Sequence, residues 1–132
     1  MACEVDGVDV VRQVEYWRSG SAEDFAAALS LADLHPRHAL FLAHLALEKM
    51  LKARVTQATA AVSPRIHDLL RLAELAGLVL TAAQRAFLAR FQQHCLAGHY
   101  PDLQRALPNP AQVAAESAEP REVSAWLQSR LP

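Results

Sequence analysis

The strongest pattern of apolar and polar positions lies between His38 and Arg54, HALFLAHLALEKMLKAR. The segment has no glycine or proline, and its apolar residues recur at helical spacing, which predicts an α-helix. Because apolar residues cover so much of its girth, we expect a central helix that other helices cover on several sides. Its few polar residues group together, since His44, Glu48 and Lys52 share one face with Lys49 beside them. We interpret His44 and Glu48 as an exposed or partner-facing polar pair and not as a metal site, because no third ligand is indicated.

A first helix is predicted from near Val8 to about Leu34, because apolar positions keep the same helical phase along this whole segment. Gly20 weakens the prediction in the middle, since glycine costs about 1 kcal/mol inside a helix. The alternative is two helices that meet at Gly20, with Ser21 as a new N-cap.

The remaining helices are predicted from their start and stop signals. The central helix begins at His35–Pro36 and fades after Val55, and the third follows Ser63–Pro64 and stops at Gly77. The fourth begins at a capping box of Thr81 and Gln84 and ends at Gly98, and a last helix covers Ala118 to Leu131. We expect residues 1–7 to be disordered and residues 103–116 to form an irregular connection. The stripe positions that we expect to be buried include Val14, Trp17, Ser21, Ala28, Leu69, Leu72, Ala73, Ala76, Phe87, Leu88, Phe91 and Cys95.

These elements predict an all-α fold, an up-and-down four-helix bundle with a short additional C-terminal helix, as one domain over residues 1–132. We also expect a homodimer. Leu42, Leu45, Met50 and their neighbours are more numerous than one monomer can shield, and a dimer interface would cover the remainder.

Composition narrows the functional classes. The net charge of −1 argues against a generic polyanion-binding protein. Positive charge is nevertheless concentrated in two segments, with four basic and one acidic residue over 34–60 and three basic and one acidic over 81–105. No apolar run is long enough to span a membrane, the N-terminal segment does not resemble a signal peptide, and the two cysteines form no disulfide framework. We therefore expect a cytoplasmic protein that does not act at a membrane.

Three motifs resemble the HEPN family, named for a nucleotide-binding domain of higher eukaryotes and prokaryotes. They are an Ala-x-x-x-x-Glu-Lys-x-Leu-Lys-Ala helix at Ala43 to Ala53, a His-Asp-Leu at His67 to Leu69 that opens the next helix, and Tyr100 with Pro101 after the fourth helix. Trp17 and Asp24 also resemble residues of the family's first helix. The resemblance covers roughly Glu15 to Asp102 and implies a dimeric helical bundle.

Ribonuclease members of this family resemble one another in an arginine that is followed, after four to six residues, by a histidine at a dimer cleft. Such a pair suits RNA cleavage, because arginine stabilises phosphate charge while histidine moves the proton of the 2′-hydroxyl. In this sequence, Arg90 and His94 have three residues between them, and Arg90 and His99 have eight. Arg37 and His44 have six, but they lie on the central helix.

We therefore interpret the chain as a non-enzymatic binding module. The resemblance implies a nucleotide- or substrate-binding partner of a small nucleotidyltransferase, a pairing that can form a toxin–antitoxin system. The alternative is a metal-independent ribonuclease toxin that uses Arg90 with His94 or His99, acting on RNA. We expect no metal site and no cofactor. The candidate ligand- or partner-binding residues are Lys49, Lys52, Arg90, His94, His99 and Tyr100.

Overall fold

A computed structural model describes residues 9–95, 120–122 and 125–129. Within these ranges the chain is helical and contains no strand, so the all-α bundle is confirmed. The predictions for residues 1–7 and 103–116, together with His99 and Tyr100, fall outside the described residues. The helices are α1 (Val10–Leu31), α2 (Pro36–Thr59), α3 (Leu69–Leu75) and α4 (Ala82–Phe91).

Helix α1 runs through Gly20 without a break, so the alternative of two helices is wrong. Asp9 caps its first turn by accepting a hydrogen bond from the backbone N–H of Arg12. Ser21 is no N-cap, because its buried hydroxyl donates instead to the carbonyl of Ala46 on α2 (2.7 Å). A Cβ on Gly20 would lie 3.1 Å from Cδ of Lys49. The close approach of Lys49 from α2 therefore explains why position 20 is a glycine.

Helices α1 and α2 form an antiparallel hairpin, the most extensive packing among the described elements. Trp17 lies against Lys52, and Asp24 lies against Lys49, so later residues of α1 meet earlier residues of α2. The four residues of 32–35 connect the two helices. The core of the bundle therefore lies between α1 and α2 and extends to α3 and α4.

Helix α2 is buried over much of its girth, as the apolar pattern predicts. Met50 and Leu51 are buried within the monomer, whereas Leu42 and Leu45 are only partly covered. Met50 therefore gives no reason to expect a dimer. The interpretation of His44 and Glu48 as an exposed or partner-facing pair is wrong, because both are buried inside the bundle, with exposures of 0% and 3%.

Helix α3 begins at the predicted His-Asp-Leu and not at the other predicted cap, Ser63. Ser63 and Pro64 precede it in the loop, and Asp68 is the N-cap, with its carboxylate accepting from the backbone N–H of Arg71. Its predicted stop is confirmed, since Gly77 has a φ of 69°, the left-handed conformation that glycine adopts without steric cost.

Helix α4 begins at the predicted capping box, in which Thr81 and Gln84 each bond the other's backbone N–H. It ends at Phe91, and residues 93–95 are helical again after a turn at Gln92. The predicted end at Gly98 lies beyond the described residues. Residues 120–122 and 125–129 are helical, within the predicted last helix, and the buried Leu127 joins the core. None of the described helices combines the length and hydropathy that a membrane span requires.

Candidate functional site

A buried carboxylate, that of Glu48, lies at the centre of the polar residues of α2. Its Oε2 is 3.1 Å from Nζ of Lys52, one helical turn away, and its Oε1 is 3.0 Å from Nδ1 of His67. A buried carboxylate is strongly destabilising unless cationic or hydrogen-bonding groups compensate it. Lys52 and His67 supply that compensation, so Glu48 is stable at this position only in their company.

Lys52 is itself buried, with an exposure of 7%. Its ammonium group lies 5.2 Å from the centroid of the Trp17 ring, within the range of a cation–π interaction. The lysine thus connects α1 to Glu48. It would reach a ligand only by leaving both of these contacts.

His44 occupies the next turn of the same face and is fully buried. Its Nε2 lies 3.4 Å from the side-chain oxygen of Gln92, which also accepts from the backbone N–H of Leu69 (2.9 Å). Its ring is parallel to that of Phe91, with centroids 6.5 Å apart. Burial lowers the pKa of His44 from 6.5 to about 4, although the Gln92 hydrogen bond and the Glu48 charge act in the opposite direction. His44 is therefore a neutral core residue at pH 7.

Lys49, three residues before Lys52 on α2, also pairs with a residue of α1. Its Nζ lies 2.8 Å from a carboxylate oxygen of Asp24 on α1, and both side chains are partly exposed. The two lysines of the predicted binding surface are therefore each paired with an acid within the chain. Their positive charge is less available to a ligand than the sequence suggests.

Two further predicted residues lie at the end of α4. Arg90 is exposed, and its guanidinium carbon lies 5.7 Å from the centroid of the Phe87 ring. His94 is partly buried, and its ring meets Phe91 edge-on at a centroid distance of 4.7 Å. Arginine and histidine thus rest on successive aromatic residues of one helical face. His99 and Tyr100, predicted to extend this patch, lie outside the described residues.

The buried cluster around Glu48 and the end of α4 adjoin each other. Phe91 lies between the rings of His44 and His94 and contacts both. The charge of His94 also contributes to the lowered pKa of His44. A change in conformation at the end of α4 can therefore affect the Glu48 cluster through the Phe91 ring.

Cys95 is buried and is not paired in a disulfide. Burial raises the pKa of the Cys95 thiol, and the nearby Glu48 carboxylate raises it further. Such a thiol stays protonated and unreactive, which agrees with its interpretation as a small core residue. Among the described residues, no three His, Cys, Asp or Glu side chains are placed to hold a metal ion.

Sequence reasoning missed how His67, Gln92 and Trp17 join the polar residues of α2. His67 comes from the loop before α3, and Gln92 from the turn after α4. No local spacing relates these positions to Glu48. The available signal was the grouping of a few polar residues on a largely apolar central helix, since a buried charge requires partners from elsewhere in the fold.

Comparison with known families gives one match, to the HEPN domain, over residues 14–128. Neither curated protein sequences nor solved structures gave a significant match. The family match covers most of the 132 residues and includes all four helices except the first turn of α1. The chain therefore belongs to the HEPN domain family.

Proposed function

We propose that this HEPN chain is a non-enzymatic binding module that holds a nucleotide or a nucleotide-bearing substrate for a small nucleotidyltransferase. The nucleotidyltransferase activity would come from a separate or fused cytoplasmic partner, because these 132 residues contain no nucleotidyltransferase or phosphate-loop motif. We further propose that the chain forms a homodimer and that the two proteins act as a toxin–antitoxin pair.

One observation carries the binding interpretation, namely the spacing of Arg90 and His94 at the end of α4. Three residues separate them, whereas the ribonuclease motif of the family requires four to six. His94 also packs edge-on against the core residue Phe91, and this contact gives the histidine a packing role. The pair is therefore suited to contact an anionic ligand without cleaving it.

Arg90 is the residue that we expect to contribute most to binding. It is exposed, and resting on the Phe87 ring preorganises its guanidinium, which can bond a phosphate through two N–H groups. His94, His99 and Tyr100 would complete the surface. Lys49 would contribute as a partly exposed charge, and Lys52 would act by holding Glu48.

Replacement of Arg90 tests this surface. Arg90→Ala removes a charge-assisted hydrogen bond, so binding of a ribonucleoside triphosphate should weaken by about 1.5–3 kcal/mol, roughly 10- to 150-fold. Added salt should weaken nucleotide binding by the wild type more than binding by Arg90→Ala, because salt screens the Arg90 charge that the variant lacks. Titration calorimetry at two ionic strengths measures both effects.

Arg85→Ala is the matched control, since Arg85 is another exposed arginine of α4, five residues before Arg90. Its binding should equal that of the wild type. If Arg85→Ala and Arg90→Ala weakened binding equally, binding would depend on the overall positive charge of α4 and not on the proposed surface. If the wild type bound no nucleotide, the binding module would be refuted.

The second candidate is a metal-independent ribonuclease that uses Arg90 with His94 or His99. One observation favours it, because Arg90 and His94 are four positions apart, on either side of the turn at Gln92, and rest on adjacent aromatic rings. An RNA cleavage assay separates this candidate from the binding module.

A further inference from the structure

Gln92 occupies the turn that ends α4, between Arg90 and His94 of the proposed binding surface. Its side-chain oxygen accepts a hydrogen bond at 2.9 Å from the backbone N–H of Leu69, in the first turn of α3. The same oxygen lies 3.4 Å from Nε2 of His44 on α2. One amide oxygen therefore connects the end of α4 to two other helices.

The direction of the second hydrogen bond follows from the first. A backbone N–H can only donate, so the atom of Gln92 that faces Leu69 must be the oxygen and not the amide nitrogen. Because an amide oxygen only accepts, Nε2 of His44 must carry the hydrogen, and in the neutral ring Nδ1 bears the lone pair. This tautomer agrees with the position of Nδ1, which lies 3.8 Å from Oε1 of Glu48, too far for a hydrogen bond.

The backbone hydrogen bonds change at Gln92. Its N–H bonds to the carbonyl of Leu88, four residues back, whereas the N–H of Cys95 bonds to the carbonyl of Gln92, only three residues back. Helix ends lack part of the hydrogen bonding of the interior, and they fray unless other groups hold them. Arg90 lies in the last turn of α4, so the contacts of Gln92 hold the turn that carries Arg90.

We propose that Gln92 is a positioning residue for nucleotide binding and holds Arg90 in the orientation that contacts the ligand. The inference rests on the proposed nucleotide-binding function and adds a residue that acts through Arg90 without touching the ligand. The Phe87 ring supports the side chain of Arg90, whereas the hydrogen bonds of Gln92 support the backbone that carries it. Preorganisation of both kinds reduces the entropy that is lost on binding.

The alternative is a purely structural role, in which loss of the Gln92 hydrogen bonds lowers stability but leaves binding by the folded protein unchanged. Gln92→Met separates the two roles, because methionine has a similar length and lacks the amide oxygen. Gln92→Glu is the conservative variant, since a carboxylate oxygen can still accept from both partners. Gln93→Met is the matched control, because Gln93 is the neighbouring glutamine and is exposed.

Calorimetry at pH 8 measures how much Arg90→Ala weakens binding of a ribonucleoside triphosphate in each of these backgrounds. In the wild type, Gln92→Glu and Gln93→Met, the loss should be at least about 10-fold, the effect of one charge-assisted hydrogen bond. In Gln92→Met the loss should be less than about 3-fold, because the effects of residues that act together are not additive. Circular dichroism checks that each variant is folded.

Equal losses from Arg90→Ala in folded Gln92→Met and in the wild type would overturn the positioning role while leaving nucleotide binding intact. A small loss in folded Gln92→Glu would also overturn it, because that variant keeps the hydrogen bonds. A wild type that binds no ribonucleotide, or binds it equally well after Arg90→Ala, would overturn both the proposed binding surface and the positioning role.

The tautomer of His44 provides a test that needs no variant and that decides the matter if Gln92→Met does not fold. Nitrogen-15 NMR of the wild type at pH 8 should show hydrogen on Nε2 of His44 and a lone pair on Nδ1. Hydrogen on Nδ1 would show that Gln92 accepts no hydrogen bond from His44, and it would overturn the positioning role.

Discussion

At the scale of single residues, Glu48 determines the character of the polar face of α2. Its carboxylate is buried, and each oxygen has a cationic or hydrogen-bonding partner, Lys52 on one and His67 on the other. The spacing of these polar residues on the helix was visible in the sequence. Their burial was not, because it depends on a loop histidine 19 residues away and on packing by other helices.

His44 makes stability depend on pH. Its pKa is 6.5 when unfolded and about 4 when folded, because burial disfavours the charged ring. A lowered folded-state pKa means that the stabilisation is complete above pH 6.5 and is lost as the pH falls towards 4. Between pH 7 and 4.5 the loss from this residue should be about 2–3 kcal/mol.

Urea unfolding at the two pH values measures this loss. His44→Gln has no group that titrates at this position, so its stability should fall less on acidification than that of the wild type. His38→Gln, an exposed control, should follow the wild type. Equal acid sensitivity in His44→Gln and the wild type would refute the assignment.

At the scale of elements, local signals predicted helices well where a helix has a strong cap or a long periodic face. The Thr81–Gln84 capping box and the stop at Gly77 are local chemistry, and both were predicted correctly. The start of α3 was left open, because Ser63 and Pro64 resemble a helix start as much as His67 and Asp68 do. The competing cap at Asp68 is reinforced by Gln92, a residue distant in sequence.

Gly20 shows how a tertiary contact changes a helix propensity. Alanine normally stabilises a helix by about 1 kcal/mol relative to glycine. At this position the new Cβ would crowd Cδ of Lys49 at 3.1 Å, while the ion pair with Asp24 holds the end of that lysine. Gly20→Ala should therefore stabilise the protein by clearly less than 1 kcal/mol or destabilise it.

The same substitution in a Lys49→Ala background should recover the full gain of about 1 kcal/mol, because the obstructing side chain is gone. Chemical unfolding of the four proteins gives this double-mutant cycle. An identical effect of Gly20→Ala in both backgrounds would show that Lys49 is not the reason for the glycine.

At the scale of the whole molecule, the monomer buries more of the apolar surface of α2 than the sequence suggested. Less apolar surface therefore remains to form the proposed dimer interface. Leu45 remains half-buried on the central helix.

Light scattering of the wild type should give twice the chain mass of 14.5 kDa. Leu45→Asp should yield monomers or aggregates, because it would place an unpaired charge in the interface. Val79→Asp, at a loop position 91% exposed, should change nothing, and a monomeric wild type would refute the dimer.

The central claim is that this HEPN chain binds without catalysing RNA cleavage, and RNA cleavage in EDTA tests it most directly. The purified wild type should leave RNA intact, and folded His94→Ala should behave identically, because Arg90 and His94 lack the spacing of the catalytic pair. If His94 were a general acid–base catalyst, its removal would slow cleavage by about 10²–10⁴-fold. Clear cleavage by the wild type that disappears in correctly folded His94→Ala would contradict the binding module and establish the ribonuclease.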